Sequence, residues 1–244
     1  MTDMKARRSI FSREISSPQG NMVQMKVCNE NVLSKVVALP LFVNCSRKDV
    51  DDILDESRGV VRQFDAGEVI LHECLPADSL VAVISGCVLV RECGLEDDVR
   101  HLVQRIMAGG TFGATFVALA PALSPGMLVA EEPSEVLFLE VASVRQMLNE
   151  GRHPRFLANL YAASCTQGFY AWRKLMLLSC YEIGERVLLY LKWRKEDGLP
   201  AQVKFRYGDL AEYLGVNRTA LYRVLAKLQK SGKIRIADNT LDLA

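Results

Sequence analysis

The order of apolar and polar positions divides the chain into stretches of different period. Helical spacing governs residues 32–39, which end at Pro40, and residues 48–56. From Val60 to Glu140 the pattern shortens into brief β-like runs at 69–71, 80–84, 87–91, 101–106, 127–130 and 136–140. Pro76-Ala77-Asp78, Ser85-Gly86, Gly109-Gly110 and Glu132-Pro133 separate these runs with turn chemistry. Short strands at this spacing predict an antiparallel sandwich or roll. Helical period returns at 141–148, then in a long segment opened by His153-Pro154 and running to about Leu178, and again at 181–195, closed by Asp197-Gly198.

The stretch from Asp209 to Ile236, DLAEYLGVNRTALYRVLAKLQKSGKIRI, carries the sharpest signal. Leu210, Ala211 and Leu214 form an apolar stripe, Gly215 supplies a stop where φ must turn positive, and Asn217 can N-cap a second helix. Leu221, Val224, Leu225 and Leu228 recur at i, i+3, i+4 and i+7, so one face of that second helix is core. The opposite face carries Arg218, Thr219, Tyr222, Arg223 and Lys227, and a short hairpin comes after it. Six basic residues and no acidic one lie between Arg218 and Arg235. A helix-turn-helix with a wing and a basic reading face suits the major groove of DNA.

Charge sharpens this picture. The net charge is +1, yet residues 201–244 hold eight Lys/Arg against four Asp/Glu and residues 1–26 hold five against two, leaving an acidic middle. Only one end is built to meet a polyanion. Half the residues are hydrophobic, enough for two modest cores. Seven scattered cysteines without C-x-x-C pairs argue against a disulfide framework and a zinc site. The first 26 residues read as a flexible extension without the apolar middle of a signal peptide, and no apolar run is long enough to span a bilayer, so a cytoplasmic protein without membrane contact is expected.

The long helical segment holds two candidate seams. Phe156, Leu160, Ala163, Gln167 and Tyr170 fall close to a 3.5-residue repeat that suits pairing with a second copy. Leu157, Tyr161, Ser164, Gly168, Ala171 and Leu175 form a competing register. An ordinary helix packed on its own domain shows the same pattern.

With its pieces in this order the chain resembles the CRP/FNR family of bacterial transcription regulators over about residues 32–244. The matching residues are FDAGEVILHECLPADSLVAVISGCVLV (64–90), GGTFGA (109–114), HPRFLANL (153–160), GERVLLYL (184–191) and DLAEYLGVNRTALYRVLAKLQKSGKI. The resemblance implies an α+β protein: a flexible extension at 1–26, an antiparallel β-roll sensor of double-stranded β-helix or jelly-roll type at 27–150, a dimerisation helix at 151–180 and a winged helix-turn-helix at 181–244. It implies a homodimer whose affinity for a roughly palindromic double-stranded operator is set by an effector, with RNA polymerase as a further partner if it activates.

Departures from the family pattern bear on the effector. Family members that bind cyclic nucleotides hold ribose and phosphate with a short helix, a Glu and an Arg-Ser pair. Here the cassette reads Phe112-Gly113-Ala114-Thr115, Ala114 takes the Glu position, and the Arg-Ser positions fall on Ser124-Pro125. A phosphate without a cationic partner is not repaid for its desolvation, which argues against ordinary cAMP or cGMP binding. Gly113, Ala114, Thr115, Ser124, Gln167 and Trp172 mark the implied pocket, with Ala171 and Trp172 at the long-helix positions that meet a base. Only Cys28 and Cys45 precede the roll, too few for the family's iron-sulfur cluster. Haem stays open through His72, His101, a methionine or a cysteine, although a lone histidine is more often a surface or core residue. Thiol sensing by Cys87 or Cys93 competes with the commoner buried structural cysteine.

The reading helix departs too. Familiar family members place a Glu after the first Arg, where this chain has Thr219, so an acceptor for cytosine N4 is lost. Arg223 and Arg218 are expected to meet guanine or phosphate, and Arg206, where a Thr or Ser often caps the first helix, to meet phosphate. A different class, a non-DNA ligand-binding regulatory module with a haem or small-molecule sensor, competes with the DNA-binding reading. No Ser/His/Asp set, paired metal ligands or phosphate-cradling loop suggests an enzyme.

Overall fold

The computed structural model describes residues 25–26, 30–72, 75–93, 100–119, 124, 126–196, 203–204, 207–237 and 240–244. Helices α1 (Glu30–Val37) and α2 (Arg47–Glu56) flank a 3-10 turn at Pro40–Phe42 and lead into the strands. Ser46 starts α2 through a reciprocal capping box with Asp49, which satisfies two otherwise orphaned amides.

Two antiparallel sheets come next. The first has the order β1-β2-β9-β4-β7, from Met25–Lys26, Val60–Phe64, Ser134–Glu140, Ser79–Ser85 and Thr111–Phe112. The second has the order β3-β8-β5-β6, from Val69–Leu71, Met127–Ala130, Cys87–Cys93 and Arg100–Met107. This is the expected α+β roll. Leu80, Val81, Ala82 and Val83 are buried on both faces of β4, since a strand central in its sheet and covered on each side reads as a continuous apolar run. Strand β2 escapes the pattern reading because Arg62 and Gln63 interrupt its apolar residues. Gln63 instead pairs with Glu135 on β9, where Lys35 joins them.

Helix α3 (Ala114–Leu119) lies against the roll, and Arg145 of α4 (Val141–Glu150) donates to the carbonyls of Phe116 and Val117 at its end, 2.8 Å each. Helix α5 (Pro154–Ser179) then serves two cores. Phe156 and Leu160 are buried in the roll core, with Phe156 stacked on Phe42 at 5.7 Å, and Ala163 packs there as well. Leu177, near the other end, lies in a second core with Val187 and Leu191 of α6 (Ile183–Glu196).

That placement shows what the first of the two seam registers meets within the chain. Phe156, Leu160 and Ala163 are consumed inside the chain, and Gln167 donates to the carbonyl of Thr111 at 2.8 Å. Only Tyr170 of that register stands exposed. The physical reason is that the roll offers α5 a large apolar surface within its own chain, and a 26-residue helix has a second face to spare.

The second core holds the C-terminal module: α7 (Tyr207–Leu214), α8 (Arg218–Lys230) and a three-stranded sheet of order β10-β12-β11, from Val203–Lys204, Thr240–Leu243 and Ile234–Ala237. Leu210, Ala211, Leu214, Leu221, Leu225, Leu228, Ile234 and Leu241 are buried together. The hydrophobic period places α7, α8 and the wing as expected.

Candidate nucleic-acid interface and effector pocket

The turn between α7 and α8 is built by local chemistry. Gly215 adopts φ +63°, so the backbone favours glycine there, and a Cβ would come within 2.8 Å of the Leu178 side chain, which would have to shift. Asn217 caps α8 by accepting from the Thr219 amide at 2.8 Å. One lone pair of its side-chain oxygen is thereby spent on the helix, which leaves the other and the amide NH2 for a base or phosphate.

Sequence reasoning missed how the carbonyl end of α7 is held. Arg186 of α6 donates to the carbonyls of Leu214 and Gly215 at 3.0 and 3.4 Å and to that of Cys180 at 2.9 Å. Lys174 of α5 donates to the carbonyl of Tyr213 and lies 3.8 Å from the centroid of its ring. Two cations at a helix C-terminus meet the orphan carbonyls and the negative end of the dipole. Burial pulls Lys174 down to about 8 and pushes the Tyr213 phenol up to about 12, with Tyr190 adding to the latter.

The residues expected from sequence to read DNA lie along one helix. Arg218, Thr219, Tyr222, Arg223 and Lys227 are all exposed along α8, and Lys230, Lys233 and Arg235 continue the basic surface toward the wing. Among the described residues none of these basic side chains enters an ion pair. The Tyr222 ring stacks on Tyr207 at the start of α7, centroids 4.3 Å apart, and the Arg218 guanidinium lies 5.8 Å from the Tyr222 centroid. Arg206 lies outside the described residues.

The pocket residues named from sequence do not converge to the same degree. Gly113 adopts φ +83°, and a Cβ there would come within 2.8 Å of the Ser79 carbonyl, so the cassette presses on β4. Ala114 is buried, and Gln167 reaches the neighbouring Thr111 carbonyl. Ser124 spends its hydroxyl on the Gly126 carbonyl at 2.9 Å and lines a cavity of about 240 Å³ with Leu71, His72, Leu75, Pro76, Ala77, Asp78, Ser79 and Phe116. No Arg or Lys is among the described residues of that lining. Of the six expected pocket positions only Ser124 is there, while Trp172 stands 54% exposed on α5, stacked on Phe169.

Cys87 is buried, its thiol donates to Glu131 at 3.1 Å, and burial pushes its pKa up, so the reactive thiolate is disfavoured. The side chains of His101 and Cys93, and all of Cys28, lie outside the described residues. No described helix is long and apolar enough to cross a membrane.

Comparison with known proteins matches this geometry. Residues 61–150 match the cyclic nucleotide-binding domain family. No curated protein matches the chain. Among solved structures, the c-di-GMP responsive global regulator CLP of Xanthomonas campestris is 20% identical with a TM-score of 0.66, covering 81% of this chain and 99% of that one. FixK2 of Bradyrhizobium japonicum is 18% identical, TM-score 0.63, covering 76% and 92%. TTHA1359, a transcriptional regulator of the CRP/FNR family from Thermus thermophilus, is 21% identical, TM-score 0.58, covering 75% and 93%. The likeness extends over nearly the whole of each neighbour and establishes the shared fold.

Proposed function

We propose that this chain, which has the fold of the CRP/FNR-type transcription regulators, is itself a homodimeric, sequence-specific DNA-binding regulator. The observation that carries the reading is the α8 surface: exposed Arg218, Arg223 and Lys227, continued by Lys230, Lys233 and Arg235, with none of them in an ion pair among the described residues. Exposed cations on a helix held by a capped N-terminus and a buried apolar face are what a phosphate backbone and base edges require. In a two-fold dimer the two reading helices would meet successive major grooves, about 10 bp apart.

Selection from random duplexes with the full chain tests this. An inverted repeat is expected, and Arg223→Ala should weaken binding to it by about 1–3 kcal/mol and relax preference at one position per half-site. Undiminished affinity and preference in Arg223→Ala would remove that residue from base reading.

The roll would act as the input. Helix α5 is a continuous element from the Gln167 contact beside the cassette to Leu177 and Lys174 in the reading module, so a ligand that prefers one setting of α5 would bias the other end. The absence of a cation from the described cavity lining, together with Ala114 at the Glu position and Ser124 at the Arg position, supports an effector other than cAMP or cGMP. Neither nucleotide should raise the Tm at millimolar concentration, whereas a site with micromolar Kd would stabilise by about 4 kcal/mol. Haem is the second candidate, resting on His72 at the cavity. A Soret band after haem addition that disappears in His72→Ala would support it, and no Soret band would exclude it.

A further inference from the structure

Two stacked tyrosines stand on the reading surface among its cations. Tyr207 belongs to the first turn of α7 and Tyr222 to the second turn of α8, yet their rings lie 4.3 Å apart with only 23° between their planes. An exposed tyrosine on a helix ordinarily samples several side-chain rotamers. This one is held from one side by an aromatic face and approached by a guanidinium, Arg218, at 5.8 Å. Tyr222 remains 42% exposed, so part of the ring is left for a partner.

Arg218 and Tyr222, four residues apart, lie on the same side of α8, and Arg223 follows Tyr222 about 100° further round the helix. Between two hydrogen-bond donors the surface therefore presents a fixed apolar edge. In the major groove the apolar group that distinguishes one base pair from another is the C5-methyl of thymine. We propose that Tyr222 reads a thymine methyl next to the base met by Arg218, and that Tyr207 is the positioning residue that holds its ring in place. This rests on the DNA-binding reading above. It adds a base preference and a residue outside the reading helix.

The test uses the full chain and the duplex it selects, with uracil replacing thymine one position at a time, since uracil lacks only the methyl. One such position per half-site should cost the wild type about fourfold, the worth of one buried methyl. Tyr222→Ala should lose that penalty. Tyr207→Ala, checked for helix content by circular dichroism, should shrink it while leaving the salt dependence of binding unchanged, and Tyr207→Phe should retain it in full. Uracil tolerated at every thymine by the wild type, or a full penalty in Tyr207→Ala, would overturn the inference. So would a loss in Tyr222→Ala that is uniform across sequences, the mark of a phosphate contact. A wild-type chain that selects no duplex contradicts DNA binding itself, whereas selection of a site indifferent to uracil contradicts only the thymine reading.

Discussion

Lys174 is the residue whose chemistry departs furthest from its surroundings. Its ammonium is taken from water to reach the Tyr213 carbonyl, and burial holds its pKa near 8 against an ordinary value of 10.5. Between those two values the unfolded chain binds the proton and the folded one releases it. Stability therefore rises as pH climbs from about 8 to 10.5 and falls as pH drops back through 8. A heteronuclear NMR titration of the lysine side chains should show one titrating near 8 and missing in Lys174→Met. That variant should also flatten the pH dependence of stability by about 1–3 kcal/mol. Lysines that all titrate near their ordinary value would place Lys174 in solvent. At this scale the sequence is legible where the signal is local. Gly215 and Asn217 announce a stop and a cap by type and spacing alone. Lys174 and Arg186 look like any basic residue on a helix, and their role depends on a carbonyl 28 to 39 positions away.

Helix α5 shows how an element can be legible in the sequence while the use of its two faces is not. Its length and ends follow from Pro154 and the apolar period, but two seams are compatible with one pattern. The face that meets the roll takes Phe156 and Leu160. The face left exposed carries Tyr161 (73%), Cys165, Gly168, Trp172 and Leu175 (68%), spaced four, three, four and three residues apart. That is a heptad seam with a small residue at its middle, and it shares Tyr161, Gly168 and Leu175 with the competing register. Sequence could not choose because both faces are apolar, and only the docking of the roll decides which is spent. If a second copy covers this face, Leu175→Glu should raise the dimer dissociation constant at least about a hundredfold, from roughly 3 kcal/mol of lost burial across two symmetric sites. Sedimentation velocity would report it. A dimer of unchanged strength would move the interface elsewhere.

Across the whole molecule, the reading module rests on the roll through Arg91. Its guanidinium lies 2.7 Å from Glu212 and 3.5 Å from Asp209, both on α7. Two carboxylates of the C-terminal module are thereby paired by the roll itself. Arg91→Ala should weaken this docking by about 1 kcal/mol, visible as faster amide exchange in β6 and α7 with β4 and β9 unchanged. Equal exchange in all four would mean that the ion pairs do not hold the module. The overall architecture is legible in the order of its motifs, whereas this contact joins residues 118 and 121 positions apart and leaves no pattern in the chain. The role proposed for α8 is to read a defined sequence. It is tested most directly by the ratio of affinities for the selected duplex and its scrambled counterpart at physiological salt. A ratio of about a thousandfold or more is predicted for the wild type, falling at least about fivefold in Arg223→Ala. A ratio near one, with binding to both duplexes lost as salt rises, would contradict it.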